Sequence, residues 1–60
     1  MSDGDELRHL RKTVVQRLEA LEAERSGLAR EGRSEEARGI LRAFQEVARL
    51  LEEIDEILTH

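Results

Sequence analysis

Sixty residues permit one domain at most, and a domain of that size buries only about 60% of its unfolded surface, so it is marginal unless disulfides, a metal or association supplement its core. With no Cys and no cluster of metal ligands, association is the supplement that remains. A formal net charge of -4 argues against a general nucleic-acid or membrane-surface binder, since both need a concentrated basic face.

Charged residues at 40% and aromatics at 2% come near the balance of disordered segments, but the apolar residues recur with helical spacing. No apolar run approaches the roughly 18 residues of a membrane span, and Met1-Ser2-Asp3-Gly4-Asp5 is acidic where a signal peptide is basic. A soluble, intracellular (cytoplasmic) protein is expected.

The first predicted element is a helix from about Asp5 to Arg30. Leu7, Val14, Leu21 and Leu28 fall seven apart, with Leu10 and Leu18 in the intervening turns, so one stripe is apolar. Asp3 and Glu6 have the spacing of a capping box, with Asp in place of the usual Ser or Thr. A turn is predicted over Glu31-Gly32-Arg33-Ser34, where Gly32 ends the first helix in the left-handed conformation and Ser34 caps the second.

The second helix, about residues 35–58, carries the stronger pattern. Ala37, Phe44, Leu51 and Leu58 repeat every seven, and Ile40, Val47 and Ile54 follow by three, giving a and d positions. Glu35 and Glu36 suit its N-terminus. A strict seven-residue repeat implies left-handed supercoiling with helices crossing near 20°.

No proline enforces the central break, so one long helix in an antiparallel dimer is the alternative, at about 1 kcal/mol for each of Gly27, Gly32 and Gly39 in its interior. Pairing positions whose numbers sum to about 65 favours the hairpin. Leu7 then meets Leu58, Leu10 meets Ile54, Val14 meets Leu51, Leu18 meets Val47, Leu21 meets Phe44 and Leu28 meets Ala37. The charges agree: Arg8, Arg11, Lys12 and Arg17 fall beside Glu46, Glu52, Glu53, Asp55 and Glu56, while Glu19, Glu22 and Glu24 fall near Arg38, Arg42 and Arg49. The expected fold is all-α: a single domain over residues 1–60, an antiparallel coiled-coil-like hairpin that dimerises into a four-helix bundle.

A partner is expected because helix 2 has more apolar surface than one seam covers. Ala43, Leu50 and Ile57 flank the a positions, and Leu41 and Ala48 lie on the other side; helix 1 adds Val15, Ala20 and Ala29. The partner is a second copy, another protein, or both. Arg25 falls 18 residues after Leu7, five full turns, so a cation is aimed at the inner seam. Either its stem packs while its head reaches solvent, or it pairs with a carboxylate such as Glu24 or Glu22 of another chain and sets register.

Other candidate sites are weaker. Glu6-Leu7-Arg8-His9 has the Glu-x-x-His spacing of carboxylate-bridged di-iron bundles, but with Leu7 and Leu10 inward His9 points nearly opposite, so no metal is expected. His60 is terminal. Gly27 and Gly39 either permit close helix approach or Gly27 ends helix 1 early. Arg8, Arg11 and Lys12 form a basic patch whose first role is to match the acidic end of helix 2, and nucleic-acid binding would want aromatics there, whereas Phe44 belongs to the core. The hydroxyls Ser2, Thr13, Ser26, Ser34 and Thr59 lack an adjacent His. No enzyme activity, cofactor or small-molecule substrate is expected.

The length, central turn and paired heptads resemble the Rop-type architecture, in which two helical hairpins dimerise into a four-helix bundle. The resemblance is one of shape, and it adds RNA binding only as a third functional reading. The first is a homodimeric assembly or adaptor module. The second is a small regulator, inhibitor or chaperone that buries the Leu50 and Ile57 edge against a different, larger protein.

Overall fold

In the computed structural model, which describes residues 3–60, helix α1 runs Asp3–Arg30 and helix α2 runs Ser34–Thr59. The two pack against each other as a hairpin. Both carry acidic residues in the first turn, Asp3, Asp5 and Glu6 in α1 and Glu35 and Glu36 in α2, where they complement the positive end of the helix dipole. Asp3 is itself helical, so it does not act as the cap that its spacing to Glu6 predicts, and Ser2 lies outside the described residues.

The turn is tighter than predicted. Gly32 has φ +76°, and the Gly32 and Arg33 amides donate to the Ala29 and Leu28 carbonyls at 3.1 and 2.9 Å, the paired bonds of a Schellman motif. Arg33 is at once the last residue of that motif and the N-cap of α2, for its carbonyl accepts from the Ala37 amide at 3.0 Å. Ser34 is therefore the first helical residue and not the cap. No side chain caps α2; instead the Arg33 guanidinium donates to Glu31 at 3.3 Å and to Glu36 at 3.2 Å, clamping the connection from outside.

Packing follows the seven-residue repeat. Val14, Leu21, Ala37 and Ile54 are buried, Leu21 most deeply at 2% exposure. Around them Leu7, Leu18, Leu28, Ile40, Phe44, Val47, Leu51 and Leu58 are half-buried. Leu10 is 44% exposed and does not join the seam. The stripe that faces α2 alternates steps of four and three, Leu7, Arg11, Val14, Leu18, Leu21, Arg25, Leu28, so Leu10 sits one residue, about 100°, to the side.

Gly27 and Gly39 do neither of the things expected of them. Gly27 lies inside α1, and a Cβ built on either glycine meets nothing within 4 Å. No buried polar or charged side chain occurs among the described residues, so the core is wholly apolar but thin.

Candidate interaction surface

A hairpin of two helices has two broad faces, and here they differ. The ion pair from Arg11 Nε to Asp55 Oδ1, 2.6 Å, crosses between the helices and marks both register and side. Arg11 and Asp55 are numbered so that they sum to 66, which agrees with the pairing read from the apolar residues. On α1 the flank next to Arg11 carries Arg8, Val15 and Glu22; on α2 the flank with Asp55 carries Leu41 and Ala48. The opposite flanks carry Leu10, Arg17 and Glu24 on α1 and Ala43, Leu50 and Ile57 on α2.

The first face holds an open apolar groove of about 490 Å³. Val15 and Leu18 from α1 and Phe44 and Leu51 from α2 form its floor, and Glu19, Glu22 and Ala23 its rim. It exists because a two-helix seam leaves residues such as Leu18, Phe44 and Leu51 covered on one side only. A second depression of about 340 Å³ adjoins it along α1, lined by Arg8, Arg11, Lys12, Val15, Gln16 and Glu19. Basic, apolar and acidic side chains therefore follow one another along this face.

The second face carries the three most exposed of the large apolar side chains. Leu10, Leu50 and Ile57 are 44, 43 and 56% exposed and lie toward the chain ends by register. Leu41, 39% exposed, belongs to the groove face near the turn. Of the residues expected at a partner interface, Val15, Arg25, Ala43 and Ala48 are half-buried within the hairpin, while Ala20, two residues and about 200° beyond Leu18, points away from α2 and lies on neither face.

The charges are arranged more locally than the block matching predicts. Arg8 pairs with Asp5 at 3.3 Å on its own helix. Arg25 is half-buried at its seam position and takes Glu22, one turn earlier in the same chain, through Nε at 3.1 Å and through Nη2. The Arg25 guanidinium holds the Glu22 carboxyl below its usual range, chiefly by hydrogen bonding, and Glu22 in turn raises the Arg25 pKa. Hydrogen bonds to Glu36 and Glu31 raise the Arg33 pKa likewise. Arg25 thus has a carboxylate of its own chain, with its stem in the seam and its head at the surface.

Three hydroxyls are engaged locally. Thr13 and Thr59 hydroxyls donate to the main-chain carbonyls of His9 and Asp55, and Ser26 Oγ lies 3.5 Å from Glu22. Among the described residues no group of three or more His, Cys, Asp or Glu is placed to hold a metal ion. Nor, among the described residues, is any helix long and apolar enough to cross a membrane. The chain matches no protein-family model, no curated protein and no solved structure.

Sequence reasoning missed two features of this surface. Arg11 occupies the same repeat position as Arg25, 14 residues away, a spacing visible in the sequence once the stripe is drawn through both. Glu19, Glu22 and Ala23 carry no apolar signal, and only the groove geometry brings them to its rim.

Proposed function

We propose that this chain is a non-enzymatic association module: a hairpin that pairs with a second copy to form a four-helix bundle and serves as an assembly or adaptor element. The observation that carries the reading is the surface left over. The hairpin exposes 4858 Å², against roughly 4000 Å² for a compact monomer of its mass. Its radius of gyration is 14.0 Å where a compact chain of this length has about 10 Å. The excess, roughly 850 Å², is close to the ~800 Å² that each partner buries in a standard interface.

The test is the absolute mass by light scattering after gel filtration, with circular dichroism over a concentration series. A helical dimer whose melting temperature rises with concentration supports the reading. A stably helical monomer at every concentration overturns it.

A second reading is favoured by the Leu10, Leu50 and Ile57 edge, which lies on the face opposite the groove. A larger protein binding there would use the chain as a regulator, inhibitor or chaperone. In that case the isolated chain is weakly helical until its partner is added.

A further inference from the structure

We infer that the second copy seats on the groove face, antiparallel to the first, about a twofold axis that crosses α1 at Val15. This rests on the self-association proposed above and adds which of the two faces is used and in which orientation. The groove face is bipolar along α1. Counting from Val15, Arg11 and Glu19 are each four residues away, and Arg8 and Glu22 are each seven away. These offsets are one and two helical turns, so all five side chains share one flank of α1.

A twofold rotation about an axis perpendicular to α1 at Val15 lays α1 over the α1 of the second copy with its direction reversed. Val15 then meets its own equivalent. Arg11 comes opposite Glu19 of the second copy and Arg8 opposite Glu22, each pair occurring twice. The same operation lays α2 over α2 and, by the register of the Arg11–Asp55 pair, centres it on Leu51 and brings Phe44 opposite Leu58. The four flanking charges thus fall on opposite charges and the apolar side chains of α2 on one another, with Leu18 opposite Lys12 as the exception.

The alternative orientation, with both turns at one end, lays α1 over α2 at equal level. By the hairpin's own register it keeps Arg11 over Asp55 and Val15 over Leu51 but sets Arg8 over Leu58, Glu22 over Phe44 and Arg25 over Leu41. Charge would then cover apolar surface, which costs desolvation without compensation. The area also fits: a face 45 by 16 Å gives a footprint of roughly 700 Å² for each copy, near the standard interface.

The chain has no native Cys, so single-cysteine variants report the contact without background. Val15→Cys is expected to form a disulfide-linked dimer under mild oxidation, because the axis brings the two thiols together, while Leu10→Cys on the opposite face is not. The absolute mass of each reduced variant is measured alongside. A Val15→Cys sample that is dimeric by mass but does not cross-link overturns this orientation and leaves self-association standing; a monomeric mass for the unaltered chain overturns both.

A second pair of variants keeps the proposal open to refutation where the cysteine disturbs the fold. Glu19→Arg and Arg11→Glu are each expected to weaken self-association by roughly tenfold, and their equimolar mixture to regain it. If the mixture associates no better than either variant alone, these two side chains do not meet and the orientation is wrong.

Discussion

Leu21 and Leu10 are the same residue type eleven positions apart on one helix, yet 2% and 44% exposed. Leu21→Ala is expected to cost about 2–5 kcal/mol, a large part of the roughly 3–9 kcal/mol typical of a chain this long. Leu10→Ala should stay within about 0.5 kcal/mol in thermal or urea melts of the hairpin, because it empties no packed site. The glycines divide in the same way. Gly32 needs its positive φ to close the Schellman turn, so Gly32→Ala should destabilise by about 1 kcal/mol or more. Gly27→Ala and Gly39→Ala sit in open space within helices, and each should stabilise by about 0.5–1 kcal/mol in the same melts. Arg25→Leu belongs to this scale too: it places an apolar side chain at a seam position and is expected to raise the melting temperature, a fall showing that the cation there is needed.

Within the elements, local ion pairs act on the helix ends and the turn. Arg33 binds Glu31 and Glu36 across the connection and replaces a conventional side-chain cap. In α1 the lowered pKa of Glu22 makes its contribution dependent on pH. A carboxyl whose folded pKa is depressed stabilises fully above its unfolded value, ordinarily 4.5, and loses that contribution as pH falls through the lower folded value. The stability difference between the parent chain and Glu22→Gln should therefore be constant near neutrality and vanish on acidification below about pH 4.5, as followed by urea melts at stepped pH. Arg25 and Arg33, whose already high pKa values are raised further, stay charged throughout and add no pH dependence of their own.

At the scale of the whole molecule, a chain 45 Å long and 11 Å thick has little interior, which the proposed association would enlarge. Because the proposed pairing places exposed charges opposite one another, raising salt from about 0.05 to 0.5 M should weaken self-association while leaving helicity within the dimer unchanged. A dimer indifferent to salt would point instead to the apolar Leu10, Leu50 and Ile57 edge. How much of this was legible in the sequence depends on which physical signal was at stake. The repeat of Leu7, Val14, Leu21 and Leu28 against Ala37, Phe44, Leu51 and Leu58, with Gly32 between, determined two helices and their antiparallel register, since helical periodicity and turn chemistry are local properties. The tertiary structure decided what depends on exact angles around a helix and on the closeness of the second one: Arg11 in place of Leu10 in the stripe, Arg33 in place of Ser34 at the cap, Glu22 as the companion of Arg25, and a groove rimmed by residues with no apolar signal. A shift of one residue moves a side chain by about 100°, and only the packed neighbour settles which side of that shift is covered.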